Sequence, residues 1–195
     1  RRQRQMCIRD RKHAFTTAEG KDITIDSGFY GWRMNRSEET EELINLIKQG
    51  AVVEKEPVYI QTAASHGERD YGDTYVEINL SKQHLYFWEK GNIIIESDFV
   101  SGNMVKGMAT PGGIFPITYK ERNAVLKGTN YRTPVSYWMP FNGGIGMHDA
   151  PWRKQFGGTI YETNGSHGCI NLPVDVAREI YEHVEAGMPV ICYYE

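Results

Sequence analysis

Ser166-His167-Gly168-Cys169-Ile170-Asn171-Leu172-Pro173 is the stretch on which the reading of this 195-residue chain turns. It sets a cysteine in a polar, glycine-bounded turn, and the residues after the cysteine read as a helix. Pro173 suits its first position, Val176, Ile180 and Val184 line one face, and Gly187 with Pro189 stops it. Upstream, Gly146-Met147-His148-Asp149 puts a histidine at the end of a predicted strand, 21 residues before the cysteine. Together the two segments propose an activated thiol. A free cysteine is only about a few per cent thiolate at neutral pH, so it needs a base or a pKa-lowering environment. His148 is the candidate base, Asp149 or a nearby carbonyl the group that orients it, and a helix N-terminus beside the sulfur a further aid.

Outward from the thiol the chain is strand-rich. Thr74 to Leu80 alternates, with Val76, Ile78 and Leu80 on one face, and His84 to Trp88 and Ile93 to Val100 flank the turn Lys90-Gly91-Asn92. Ile114 to Tyr119 comes after the break Thr110-Pro111-Gly112-Gly113, and Pro134 to Phe141, Gly144 to Met147 and Pro189 to Tyr194 complete the set. The expected fold is mostly β (α+β), with six or seven strands and one substantial helix directly after the thiol. Nearer the start, Asn35-Arg36-Ser37-Glu38 caps a short helix carrying Leu43, Ile44 and Ile47 to Gly50, with little around it to pack against. Residues 54–72, with Pro57, Gly67 and Gly72, read as a linker.

Hydrophobic content of 40% and twelve tyrosines fit a globular protein. Residues 1–12 have no periodicity and read as a non-native segment. They hold six of the 22 basic and one of the 25 acidic residues, so the rest of the chain is 16 against 24, a formal charge of −8. That surface argues against nucleic acid or anionic lipid as the main partner. No run approaches the roughly 18 apolar residues of a membrane span, and no signal peptide opens the chain.

Of three cysteines, Cys7 lies in the suspect segment and Cys192 in an apolar strand, where an inert buried thiol is expected. Cys169 stands alone, so no disulfide framework is inferred. A zinc site from His148, His167 and Cys169 is a rival reading, weakened because no CxxC or HxxxH is present. No metal and no cofactor are therefore expected. Ser65-His66-Gly67 repeats part of the motif without the cysteine and reads as a loop. Tyr131, Tyr137 and Trp138 are expected mainly in the core, whereas Trp152, close to His148 on a loop, is favoured as a groove residue.

His148-Asp149-Ala150-Pro151-Trp152 and Ser166-His167-Gly168-Cys169-Ile170-Asn171, with Thr110-Pro111 and Gly113 upstream, together resemble the bacterial L,D-transpeptidases with a YkuD-type catalytic domain. The resemblance spans about Asp73 to Tyr194, and Asn171 matches a variant common in Gram-positive members. It implies four regions: 1–12 non-native, 13–53 the tail of an upstream peptidoglycan-binding-type domain, 54–72 a linker, and 73–195 the catalytic domain. It implies Cys169 as nucleophile, His148 as general base, Asp149 as support for the imidazole and His167 as pocket wall. Ser166 shapes the pocket, the Gly168 and Cys169 N–H groups serve as oxyanion donors, and Asn171 and Trp152 contact substrate. The implied reaction passes through a thioester with release of terminal D-alanine from a tetrapeptide stem. A neighbouring stem amine then resolves it into a 3→3 peptidoglycan cross-link, with β-lactams such as carbapenems as acylating inhibitors. Such a protein would act in cell-wall organization and cell shape, outside the cytoplasm and held to the membrane by an anchor missing here. Two alternatives stay open: an L,D-carboxypeptidase that resolves the same acyl-enzyme with water, and a wall-binding module without turnover.

Overall fold

The first elements in chain order are a hairpin of β1 (His13–Thr16) and β2 (Asp22–Ile25), then β3 (Arg33–Met34), α1 (Arg36–Lys48) and β4 (Tyr59–Gln61). The structure, a computed structural model, describes residues 12–26, 28–67, 69–128 and 132–195; Cys7 and Tyr131 lie outside them. Two larger sheets form the rest. One has five strands in the order β7-β6-β5-β13-β8, formed by β5 (Tyr75–Asn79), β6 (His84–Glu89), β7 (Asn92–Asp98), β8 (Gly113–Pro116) and β13 (Pro189–Tyr193). The other has four in the order β12-β11-β10-β9, formed by β9 (Glu121–Lys127), β10 (Arg132–Asn142), β11 (Ile145–Asp149) and β12 (Ile170–Leu172). Helices α2 (Ile160–Asn164) and α3 (Val174–His183) flank β12 in the chain. The fold is mostly β with mixed sheets, as expected. No helix among the described residues is long and apolar enough to cross a membrane.

The main core lies between the two sheets and α3. Val76, Ile78, Leu85 and Phe87 meet Phe115, Met139, Met147, Ile170 and Leu172, and Ala177, Ile180 and Val184 close it from the helix. Strands β5 and β13 are buried at every position because the outer face of their sheet is covered too. Val190 and Cys192 face the main core, whereas Ile191 and Tyr193 join Tyr75, Tyr71 and Ile114 in a second cluster completed by Phe15, Ile25 and Tyr30. The hairpin β1–β2 is the lid on that second cluster. Burying each of its large side chains contributes about 1.5–3 kcal/mol.

Polar contacts tie the same lid down. The fully buried Glu77 accepts from Ala18 N–H at 2.8 Å, the Tyr193 hydroxyl at 2.7 Å and the Trp88 indole at 2.8 Å. Burial raises its pKa despite these donors. His13 Nδ1 lies 3.4 Å from Asp70 Oδ1, and Tyr30 N–H donates to Ile114 O at 3.0 Å. The expected linker also contains β4, which pairs antiparallel with β3. Contacts of Ala18 with Glu77 and of Tyr30 with Ile114 run across residue 72. Helix α1 differs: Leu43, Ile44 and Ile47 remain exposed.

Two further differences matter for the site. Strand β9 carries no strand signal in sequence, because it is exposed except at Ala124 and, in part, Leu126 and so shows no apolar alternation. The residues after Cys169 enter β12 rather than a helix, and α3 begins only at Val174. A helix N-terminus beside the sulfur is thus ruled out.

Candidate active site

The site is built on a parallel strand pair. Strand β12 pairs with β11 in the register Met147↔Ile170, His148↔Asn171 and Asp149↔Leu172. Extended by one residue, that register sets Cys169 opposite Gly146. Side chains two apart along a strand share a face, so His148, Cys169 and Asn171 project to the same side. Strands about 4.8 Å apart, rising about 3.3 Å per residue, put the His148 and Cys169 Cα atoms roughly 8 Å apart, a gap their side chains can close. Both line a cavity of about 220 Å³ with Trp152, Arg153, Ser166 and Asn171.

His148 is buried, and its Nδ1 lies 2.8 Å from the Asp149 backbone carbonyl. A carbonyl can only accept, so Nδ1 carries the proton and Nε2 keeps its lone pair. Trp138 and Trp152 flank the imidazole at centroid distances of 5.9 and 6.0 Å. Burial lowers the His148 pKa below 6.5; the Asp149 carbonyl and charge pull it up, and Arg153 pushes it down. The ring is neutral at neutral pH and available as a base.

Asp149 does not act as expected. Its Oδ1 accepts from two successive β10 amides, Ser136 N–H at 2.8 Å and Tyr137 N–H at 2.9 Å. Successive amides point to opposite sides of a regular strand, so two adjacent N–H groups aimed at one acceptor mark a local departure from the pleat, within an unshifted β9–β10 register. The departure shows in the packing, since Val135 and Trp138 share one cluster although they are three apart. The carboxylate thus shapes β10, while the carbonyl orients the imidazole.

Cys169 is half-buried, and its thiol donates to Gly144 O at 3.6 Å. Burial pushes its pKa up to about 11, and a hydrogen bond from the Gly146 backbone only partly offsets this. Burial thus favours the neutral form of both groups, and an attack by this sulfur would first need its proton to leave.

The loop carrying the thiol is pinned from below. Ser166 Oγ donates to Cys169 O at 2.6 Å and accepts from Gly168 N–H at 3.0 Å. Of the two amides expected as oxyanion donors, that of Gly168 is therefore engaged within the loop. Gly168 has φ +117°, which side chains rarely adopt. Its carbonyl accepts from Thr110 Oγ1 at 2.7 Å, and Thr110 Oγ1 in turn accepts from Gly102 N–H. A Cβ on Gly102 would lie 1.9 Å from Met108 O and 2.9 Å from Gly168 Cα, so two glycines let the strands touch. Ser101, held by Gln83, accepts from Ser166 N–H. Of this underpinning Ser166, Gly168 and Thr110 belong to the motifs legible in sequence, whereas Gln83, Ser101 and Gly102 carry no local signal.

The remaining expected residues fall into place around the cavity or away from it. Asn171 is buried at the cavity wall with its Oδ1 unpartnered, Trp152 is half exposed at the rim, and His167 is exposed on the loop. Tyr137 packs beside the core rather than in the groove. His66 stacks on Trp32 at 3.8 Å between centroids, away from the thiol. Among the described residues no three His, Cys, Asp or Glu side chains gather as a metal-binding group. Arg153 lines both this cavity and a neighbouring one, a place that its sequence setting as an ordinary loop cation does not signal.

The family described as L,D-transpeptidase catalytic domain (YkuD) matches residues 73–192. A Bacillus subtilis protein named putative L,D-transpeptidase YciB is 28% identical over 125 residues, covering 60% of this chain and 64% of that protein. The chain thus spans less than two thirds of that relative. A mutant of Enterococcus faecium L,D-transpeptidase superposes with a TM-score of 0.77 at 35% identity, over 95% of this chain and 75% of that one. The catalytic domain from the same species, acylated by ertapenem, is 43% identical with a TM-score of 0.57, over 63% of this chain and 98% of that one.

Proposed function

The chain belongs to the YkuD L,D-transpeptidase family, and on that premise we propose that it forms 3→3 peptidoglycan cross-links through a thioester on Cys169. The observation that carries this reading is the β11–β12 register, which sets the thiol and an oriented, neutral imidazole on one face of a cavity. The sulfur attacks the carbonyl of the third residue of a tetrapeptide stem while His148 Nε2 takes the thiol proton. The oxyanion is held by the Cys169 amide. Collapse breaks the bond to the terminal D-alanine, whose nitrogen takes the proton back from His148. An amine from a neighbouring stem then attacks the thioester, transfers a proton to His148, and releases the thiol with the new amide. Trp152 and Asn171 flank the donor, and the third stem residue is diaminopimelate or lysine.

Carbapenems would acylate the same sulfur, a reading supported by the ertapenem-acylated relative. The substrate places the protein outside the cytoplasm, and the exposed face of α1 is read as the end of an upstream peptidoglycan-binding-type domain. Incubating the protein with a tetrapeptide donor, with and without an acceptor amine, tests the activity by mass spectrometry. Cross-linked dimer and free D-alanine are expected. Tripeptide alone, even at high acceptor, would make the protein a carboxypeptidase, and no D-alanine from any stem would remove the reading.

A further inference from the structure

We propose that Arg153 recognises the terminal carboxylate of the donor stem and so selects donors that end in a free D-amino acid. The proposal rests on the transpeptidase reading of the site, because it assigns the negative charge of that substrate a partner.

Arg153 is held rigidly with respect to the base. It closes the turn after β11, its N–H donating to Ala150 O at 2.9 Å while Ala150 N–H donates to Leu172 O on β12 at 2.9 Å. Its side chain lines both the cavity containing Cys169 and a neighbouring one of about 620 Å³. Nε is buried without a hydrogen-bond partner, and burial lowers the pKa of the guanidinium. Two partly buried lysines have carboxylate partners, Lys55 with Glu39 and Glu42 and Lys120 with Glu185. Among the described residues no carboxylate pairs with Arg153. A desolvated guanidinium with an unused donor is costly unless something completes it.

The donor supplies such a group. Its terminal carboxylate sits on the carbon next to the scissile nitrogen, beside the bond that His148 and Cys169 must reach. A planar guanidinium takes a carboxylate through two parallel N–H bonds, which orients the group as well as binding it. Arg153 is also close enough for its charge to depress the His148 pKa. A bound carboxylate would offset that charge and leave the imidazole more basic when the donor is in place.

The test compares two synthetic tetrapeptides, one ending in D-alanine and one in D-alaninamide, in the acylation half-reaction without acceptor. Leaving out the acceptor separates the donor's carboxylate from any carboxylate on an acceptor stem. The wild-type protein should prefer the free acid by about 10- to 100-fold in kcat/KM. Arg153→Gln should lose that preference by slowing the acid and sparing the amide, and its acid limb should move to higher pH. Arg153→Lys should restore part of the preference. Alkylation of Cys169 by neutral iodoacetamide at the wild-type rate verifies that each variant is folded. A wild-type protein indifferent to the terminal group, or an Arg153→Gln variant that still discriminates, overturns the proposal. Failure of the wild type to release either terminal residue would instead refute the transpeptidase reading, and the proposal with it.

Discussion

Two histidines in this protein are buried to the same degree beside an aspartate, and they do opposite things. His13 and Asp70 are both about 3% exposed and face each other through their side chains, at 3.4 Å. They come from different segments, and the pair ties the N-terminal hairpin to the chain entering β5. His148 and Asp149 are neighbours on one strand, and their side chains point to opposite faces of the sheet. The carboxylate of Asp149 serves β10 and only its carbonyl serves the imidazole. The pair that looks like a catalytic dyad by geometry is a tie, and the adjacent pair works through the backbone. What separates them is the thiol: Cys169 shares a face with His148, while among the described residues no cysteine joins the cluster around Phe15 and Tyr71.

The largest effects should fall on the catalytic pair. Cys169→Ala should abolish acylation by stem peptide and carbapenem, and His148→Ala should slow it by about 10²- to 10⁴-fold. With its pKa lowered, His148 must lose its proton before it can act, so wild-type acylation should decline only below pH 6.5. In the His148→Ala variant reactivity should instead climb toward the thiol pKa of about 11. Stopped-flow acylation across pH measures both, and a wild-type profile in the variant would place the base elsewhere.

His13→Ala should cost about 1–3 kcal/mol of stability, the scale for removing one partner of a buried polar contact, with the acylation rate of the folded fraction unchanged. Denaturant unfolding read beside burst kinetics separates the two quantities. A protein truncated before Asp70 should fare worse, since Phe15, Ile25 and Tyr30 leave with it. A soluble, fully stable truncation would mean that the hairpin is dispensable.

Asp149 gives the sharpest test of the comparison, with a smaller effect. Asp149→Asn keeps an acceptor for both β10 amides, so acylation should fall by less than about tenfold, the value of one modest hydrogen-bond adjustment. Losing the carboxylate charge removes an influence that raises the His148 pKa, so the acid limb should move to lower pH. Asp149→Ala should destabilise by about 1–3 kcal/mol for each amide left bare. If Asp149→Asn slowed acylation as much as His148→Ala, the carboxylate would be the orienting group after all. Last, Cys192→Ala, in the apolar strand β13, should cost about 1 kcal/mol and no activity.

Much of the molecule was legible in the sequence where a signal is local. The glycine-bounded polar setting of Cys169, the strand ending at His148, the 176–180–184 face of α3 and the alternation of β5 all lie within one element. The hairpin β1–β2 was not legible as part of the core, because the residues it covers lie roughly 50 to 180 positions away and its own strands are short. Strand β9 was not legible because its solvated face leaves one fully buried residue. The local distortion of β10 at Ser136 and Tyr137 depends on a carboxylate from another strand, and the value of Arg153 depends on what it fails to meet.

The sequence by itself determined the strand-rich class, the helix α3, and the pairing of a cysteine with one histidine out of six. These come from side-chain period and from the chemistry that a thiol and an imidazole bring. Tertiary structure alone decided which strands pair, that the sulfur sits at a strand entrance instead of a helix N-terminus, and that Asp149 orients its neighbour through a carbonyl. The reason is physical: period and composition report on a residue's own strand, whereas register, burial and unmet hydrogen bonds are set by segments that only the fold brings together.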